Sequence, residues 1–127
     1  MEASTLPDNK ELQHTGFDRI PVEALNPLID RQFVYGERTM LSRLLLRKGA
    51  IVPMHSHDNE QISYIVEGAL RFTMGDGQIL TVRAGEILVI PSNMPHSAEA
   101  LEDTWDLDIF TPPRADWIAK TDAYLRK

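Results

Sequence analysis

The sequence has no cysteine, no long apolar run and no excess of positive charge, and each absence excludes a class of protein. Without cysteine, the 127-residue chain has no disulfide scaffold, no thiolate zinc site and no cysteine nucleophile. No apolar run approaches the roughly 18 residues of a membrane span. The net charge of −6 argues against a nucleic-acid-binding surface, which needs a positive footprint. The first residues do not resemble a signal peptide, so we expect a cytoplasmic protein without nucleic-acid or membrane partners.

Between residues 31 and 112 the sequence does contain a series of short apolar segments. Residues 70–74 alternate apolar and polar side chains, and the Gly75-Asp76-Gly77 run that follows is typical of a hairpin turn. Many short strands at regular spacing predict an all-β sandwich or barrel over residues 31–112. We expect residues 1–30 to form a loose arm with a short helical turn starting near Pro21. Residues 113–127 are predicted to be a short C-terminal helical segment on the barrel exterior or on a partner subunit.

Three of the four histidines lie where polar residues interrupt the strand pattern: His55, His57 and His96. In a strand, residues i and i+2 point to the same face, so His55 and His57 can aim two imidazoles inward. Gln61 could reach the same point after a short turn, and His96 follows a proline-rich turn that would fix its position. Three imidazoles with one further oxygen donor suit a divalent first-row metal.

The wider spacing of these residues resembles the cupin superfamily. The first cupin motif is Gly, five residues, His-x-His, three or four residues, Glu, six residues, Gly; it matches Gly49, His55, His57, Gln61 and Gly68. The second motif is Gly, five residues, Pro-x-Gly, two residues, His, three residues, Asn; it matches Gly85, Pro91, Asn93, His96 and Ala100. The resemblance implies a double-stranded β-helix, or jelly-roll barrel. It also implies one divalent transition metal (Mn, Fe, Ni or Zn), held by His55, His57, Gln61 and His96.

Three positions depart from the motifs, because Gln61 replaces Glu, Asn93 replaces Gly and Ala100 replaces Asn. Asn93 is tolerable, since Asn also adopts positive φ. A neutral Gln61 leaves the charge of the metal uncompensated, which makes a stronger Lewis acid and a better anchor for a substrate carboxylate or enolate. With Gln61 in place of the acid, the ligand set also departs from the two-His-one-carboxylate pattern of non-haem iron oxygenases. Asp58 and Glu60 are alternative carboxylate ligands, although strand alternation turns Glu60 away from the face of Gln61.

Two further segments resemble particular groups within the cupin superfamily. Residues 57–68 resemble the H-x-x-E-Q-x-S-Y-V-x-E-G run of small bacterial cupins, and residues 108–117 resemble the D-x-F-[ST]-P-P-R-x-D-[FW] ending of the pectin-degradation-protein type. That type acts on unsaturated monouronates released by pectin and alginate lyases and promotes their ring opening and ketonisation. By this resemblance Asp108 is the general acid or base, Arg114 binds the substrate carboxylate through its fork, and Phe110 lines the sugar face. A homodimer through the N-terminal strand is a further expectation from the resemblance.

Each of these roles has a plainer alternative. Asp106 and Asp108 share a strand face, and both could simply be solvated. Arg114 could cap a neighbouring element or form an interface ion pair, and Phe110 could belong to the core. The leading hypothesis is a metal-dependent, non-redox isomerase or lyase whose small-molecule substrate is a carboxylated sugar. The alternatives are a metal-dependent dioxygenase or another lyase in the same barrel, and a binding or sensor protein that holds a small ligand without changing it.

Overall fold

Ten β-strands form two antiparallel sheets in the computed structural model of the protein, which describes residues 9–126. The strands are β1 (Glu23–Asn26), β2 (Ile29–Tyr35), β3 (Met40–Leu46), β4 (Ile51–His55), β5 (Glu60–Glu67), β6 (Ala69–Met74), β7 (Ile79–Arg83), β8 (Ile87–Ile90), β9 (His96–Ala100) and β10 (Thr104–Thr111). A 3-10 turn precedes them at Phe17–Arg19, and helix α1 (Ala115–Ile118) and a 3-10 turn at Ala123–Leu125 follow them. The predicted all-β fold with a short C-terminal helix is confirmed.

The order of the strands is that of a jelly roll. The larger sheet has the order β1-β2-β3-β10-β5-β8 and the smaller sheet the order β4-β9-β6-β7. Neighbouring strands come from distant parts of the chain, so the chain crosses repeatedly between the sheets. Strand β10 lies in the middle of the larger sheet, between β3 and β5. Its side chains therefore alternate between the barrel interior and the outer surface.

Apolar side chains from both sheets fill the space between them. In β6, Leu70, Phe72 and Met74 are buried, whereas Arg71 between them is exposed, as the alternation predicts. The hairpin predicted after β6 joins it to β7, and the two strands pair along their length. Burial of each such side chain stabilises the fold by about 1.5–3 kcal/mol. The core thus fixes the sheets that carry the polar residues described below.

In the second half of the predicted N-terminal arm, residues 1–30, the structure differs from the prediction. The helical turn predicted near Pro21 is wrong, because the 3-10 turn lies earlier, at Phe17–Arg19, and residues 23–26 form β1. The larger sheet consequently begins before residue 31. Leu25 of β1 and Ile29 of β2 are 5% and 1% exposed, so burial of these two side chains in the barrel outweighs the local preference for a turn.

The predicted arm is attached to the sheet from residue 9 onward. Asn9 and Gln13 both donate side-chain hydrogen bonds to the carbonyl oxygen of Tyr35, at 2.5 and 2.9 Å. Residues 1–8 of the predicted arm lie outside the described residues. Among residues 9–126, no helix is long and apolar enough to cross a membrane.

The C-terminal segment closes one end of the barrel, whereas we expected it on the barrel exterior or on a partner subunit. Trp117 and Leu125 are both 3% exposed and line the internal cavity. Asp122 anchors the segment, since its carboxylate pairs with the guanidinium of Arg31 on β2 and neither side chain is exposed. Arg31 also pairs with Glu23 of β1 at 2.9 Å. These ion pairs hold the segment over the barrel end.

Candidate metal centre

The three histidines converge where strands β4 and β9 meet. His55 ends β4 and is paired with His96, the first residue of β9. His57 lies in the connection just after β4, so the two histidines of the first motif do not occupy one regular strand as expected. Their rings nevertheless come together, with centroid separations between 4.4 and 5.4 Å. One ligand nitrogen from each ring lies within 4.8 Å of the others, close enough for all three to hold one metal ion.

Backbone carbonyls fix the tautomer of all three imidazoles. The Nδ1 atoms of His55 and His96 lie 2.8 Å from the carbonyl oxygens of Pro53 and Met94, and Nδ1 of His57 lies 3.1 Å from a carbonyl as well. A carbonyl oxygen only accepts hydrogen bonds, so each Nδ1 carries the proton and donates it. Each Nε2 therefore presents a lone pair, which is the form that binds a metal.

Burial keeps the imidazoles neutral. Desolvation, together with the positive charge of Arg114, lowers the pKa of His55 and of His57 from 6.5 to about 4. Desolvation also lowers the pKa of His96. At neutral pH the three rings consequently need no deprotonation before they bind a metal.

Gln61 is the candidate for the fourth donor, and a hydrogen bond to Ser63 orients its amide. Gln61 Nε2 donates to Ser63 Oγ at 2.9 Å, which turns Oε1 toward the histidines. Oε1 lies 3.1 Å from Nε2 of His57. Both atoms are acceptors when His57 is neutral and protonated on Nδ1, so a cation bound between them would relieve their repulsion. The donor set thus fits a divalent first-row metal. Glu60 is exposed and faces away from the site, as the strand alternation predicts.

The turn before His96 takes the shape that the second motif requires. Asn93 has a φ of 65°, so it adopts the left-handed conformation predicted for the position of the motif glycine. Its backbone N–H donates to the carbonyl oxygen of His57 at 2.7 Å, which ties the two ligand-bearing loops together.

Asp108 lies on the inner face of β10 beside this centre and is 6% exposed. Ser63 Oγ donates to Asp108 Oδ1 at 2.6 Å, so a hydrogen-bonded chain runs from Gln61 through Ser63 to Asp108. Burial raises the pKa of Asp108, although hydrogen bonds from Asp106 and Ser63 oppose the rise. The alternative that Asp106 and Asp108 are solvated is wrong, because Asp106 is only 3% exposed. Both carboxyls face the cavity.

Arg114 also lines the cavity, but one edge of its fork is already occupied. Its Nε and Nη2 donate to the two carboxylate oxygens of Asp116, at 3.0 and 2.9 Å, and Nη2 also donates to the Tyr124 hydroxyl at 2.5 Å. Burial opposes the charge, yet these hydrogen bonds outweigh it and raise the pKa of Arg114. Among the described residues, Nη1 makes no hydrogen bond. The guanidinium therefore brings a permanent positive charge and one available N–H edge to the cavity.

Phe110 and Tyr124 line the cavity next to the histidine rings, and the sequence analysis indicated only Phe110. Phe110 is 1% exposed and packs edge-on against the His57 ring at 5.7 Å. Tyr124 lies 4.7 Å from the His55 ring, between centroids, and carries the hydroxyl that Arg114 contacts. No local motif marks Tyr124, because the C-terminal segment brings it to the site through a contact distant in sequence. The cavity has about 40 Å³ open to water, enough for a few water molecules.

Two solved structures share this architecture over most of their length. An RmlC-like cupin from Shewanella frigidimarina is 25% identical with a TM-score of 0.78, covering 86% of this chain and 98% of the other. KdgF from a Halomonas species is 29% identical with a TM-score of 0.74, covering 80% of this chain and 95% of the other.

Two curated proteins match parts of the sequence. Nitrosourea synthase from Streptomyces achromogenes is 36% identical over 63 residues, and oxalate decarboxylase OxdC from Bacillus subtilis is 31% identical over 77 residues. The matches cover 50% and 58% of this chain but only 13% and 20% of those proteins. The Cupin domain family matches residues 42–111, which include all four candidate ligands and more than half of the chain. This chain belongs to the cupin family.

Proposed function

We propose that this chain is a metal-dependent, non-redox enzyme that opens the ring of unsaturated monouronates and ketonises them. The observation that carries the proposal is the placement of a buried carboxyl, Asp108, and a buried guanidinium, Arg114, around the cavity that three of the four candidate ligands line. The resemblance of residues 108–117 to the pectin-degradation-protein type supports the substrate class. The similarity to KdgF supports an architecture of that kind.

The protein side chains divide the work of such a reaction among them. A bound divalent ion would supply Lewis acidity toward the oxygens of the substrate. Ring opening and ketonisation are an isomerisation, in which one proton leaves an enol oxygen and one is added to carbon, so no oxidant or reductant is consumed. Asp108 is the group that takes and returns the proton, and Ser63 holds its carboxylate in place. The charge of Arg114 attracts the substrate carboxylate, and Phe110 packs against the sugar.

The narrow cavity favours a second candidate, a lyase that acts on a smaller oxyacid. A space of about 40 Å³ admits a uronate only if side chains at its mouth, Tyr124 first among them, turn aside. A two-carbon oxyacid demands less movement, and the similarity to oxalate decarboxylase points to the same class. We therefore include oxalate in the test below.

The test uses the protein loaded with Mn²⁺, follows the ultraviolet absorbance of an unsaturated monouronate, and measures the loss of oxalate in a parallel assay. We expect the protein to accelerate the loss of absorbance at least tenfold, equally in air and under argon. His96→Ala and Asp108→Ala should abolish the acceleration. His14→Ala is the control, because His14 is exposed and lies outside the cavity.

The outcomes separate the candidates. Conversion of oxalate but not of the uronate would replace the first proposal with the second. Turnover that stops under argon would favour the dioxygenase alternative. Binding of either acid without conversion would favour the binding or sensor alternative, and full activity in both variants would remove these residues from any mechanism.

We also propose that the chain forms a homodimer, but through the outer face of the larger sheet at β5, β8 and β10 and not through the N-terminal strand, as the resemblance implied. Six apolar side chains on three adjacent strands point outward there and are 36–61% exposed: Ile62, Tyr64, Val66, Ile87, Val89 and Ile109. A contiguous apolar surface of this kind is typical of an interface. The chain itself covers the other half of the face, where Gln32 donates to the carbonyl oxygens of Phe17 and Ile20.

Sedimentation analysis tests the dimer. Ile87→Lys should shift the protein to monomer, because a buried unpaired charge would oppose association. Ile79→Lys is the matched control, since Ile79 has the same 61% exposure but lies on the smaller sheet. Identical sedimentation of the wild-type protein and both variants would contradict the proposed interface.

A further inference from the structure

Strand β10 carries a second buried carboxyl that the mechanism above leaves without a role. Asp106 precedes Asp108 by two residues, so both side chains project from the same face of the strand into the cavity. Asp106 is 3% exposed and Asp108 is 6% exposed, and the two carboxyls lie close enough for each to shift the pKa of the other. A hydrogen bond between two carboxyls requires a proton on one of them. Two carboxylates this close, away from water, also do not both ionise readily.

The surroundings of the two carboxyls decide which one holds the proton. Asp108 accepts a hydrogen bond from Ser63 at 2.6 Å and is attracted by the positive charge of Arg114. Both features favour its charged form. Asp106 has no such support, since its Oδ1 lacks a hydrogen-bond partner among the described residues. Its neighbours on the two flanking strands, Leu44 on β3 and Ile65 on β5, are buried apolar residues.

We propose that Asp106 is a positioning residue that carries the shared proton and donates it in a hydrogen bond to Asp108, which keeps Asp108 ionised and oriented as the base. The inference rests on the proposed function, because it assigns the base of that reaction. In this assignment Asp106 is a neutral hydrogen-bond donor and Asp108 is a charged acceptor. Pairs of catalytic carboxyls in unequal environments take different protonation states in the same way.

The other groups that face this pair agree with the assignment. From β5, Ser63 donates to Asp108, and from β9 the neutral imidazole of His96 brings no charge to the pair, because burial lowers its pKa. On β3, the Ser42 hydroxyl donates its hydrogen bond to the backbone carbonyl of Asp108 and not to either carboxyl. Burial raises the pKa of Asp106 well above its usual value, and the neighbouring Asp108 raises it further.

The direct test observes the proton without any substrate. In zinc-loaded protein labelled with ¹³C at the aspartate carboxyls, we expect one resonance of a protonated acid at pH 7. It should vanish in Asp106→Asn and persist in Asp76→Asn, whose exposed carboxyl lies in the β6–β7 turn. A spectrum in which every aspartate is ionised at pH 7, or a protonated resonance that survives in Asp106→Asn, would overturn the inference.

Kinetics then test positioning against a merely structural role. The amide of Asp106→Asn can donate the same hydrogen bond, so kcat for the uronate should stay within about threefold of wild type. Asp106→Leu cannot donate it, and its kcat should fall at least tenfold, with KM within about threefold and unchanged metal content. Its acid limb in the pH–rate profile should move up by about one pH unit, because Asp108 loses a hydrogen bond to its charged form.

Equal loss of kcat in Asp106→Asn and Asp106→Leu would overturn the positioning role. If the wild-type protein does not convert the uronate, that result contradicts the proposed function but not the assignment of the proton to Asp106. The resonance at pH 7 still decides the location of the proton.

Discussion

Replacing Gln61 by glutamate restores the residue usual in the cupin motif. The structure predicts that this change raises the pKa of the neighbouring Asp106–Asp108 pair. The amide Nε2 of Gln61 donates to Ser63 Oγ at 2.9 Å, and Ser63 donates to Asp108 at 2.6 Å. In Gln61→Glu an acceptor oxygen replaces that donor, so two carboxylates compete for the one Ser63 proton. The variant also brings a negative charge close to the Asp106–Asp108 pair.

The size of the effect follows from the path through Ser63. The two hydrogen bonds place the new charge within about 6 Å of Asp108, where two unit charges repel by about 3 kcal/mol at an effective dielectric constant of about 20. That energy corresponds to about two pKa units. The Asp106–Asp108 pair should therefore lose its first proton at a pH about two units higher than in wild type.

The assay is a ¹³C titration of the aspartate carboxyls in zinc-loaded wild type and Gln61→Glu, so that the same ion is present in both. Glu60→Gln is the matched control: Glu60 is the adjacent residue, but it is exposed on the outer face, and its removal should shift the titration by less than about 0.3 unit. A titration in Gln61→Glu that coincides with wild type would refute the inferred chain from Gln61 through Ser63 to Asp108.

The remaining predictions concern stability. The hydrogen bonds that Arg126, Lys120 and Arg31 donate outweigh the cost of burial and lower the pKa of Glu23 from 4.5 to about 2. Glu23→Gln should therefore destabilise the fold by about 2–3 kcal/mol at pH 7 in urea titrations. This difference in the free energy of unfolding between wild type and Glu23→Gln should disappear as the pH falls from about 4.5 to about 2. A difference that stays constant with pH would contradict the prediction. Gly68→Ala should cost at least about 3 kcal/mol, because its φ is +94° and a Cβ would lie 2.4 Å from the Asp103 carbonyl oxygen. Gly77→Ala, with a similar φ of +92° but open space around it, should cost about 1 kcal/mol in the same titrations; equal losses would refute the steric argument.

The positions of the candidate ligands could be predicted because they depend on short-range order. The alternation of strand residues turns Gln61 inward and Glu60 outward, and tolerance of positive φ explains Asn93. The alternation also placed Asp106 and Asp108 on one face, which Phe110 marks as the inner face, but it did not show how deeply the carboxyls are buried. That depends on β3 and β5, which flank β10 and are distant from it in sequence.

Contacts between distant segments account for the errors. The proline at residue 21 favoured a helical turn, but the apolar side chains of the following residues reach the barrel core and form strands. The C-terminal segment closes the barrel because Asp122 meets Arg31, ninety-one residues earlier in the chain. Such pairs leave no local pattern in the sequence, so Tyr124 beside His55 was not foreseen.

The central claim is that three imidazoles and one amide oxygen bind a single divalent ion, and metal stoichiometry tests it most directly. Elemental analysis after Mn²⁺ loading and exhaustive dialysis should give one ion per chain in wild type and in His14→Ala. The content should fall at least tenfold in His57→Ala and His96→Ala. Metal-free wild-type protein, or equal metal content in all four proteins, would contradict the account.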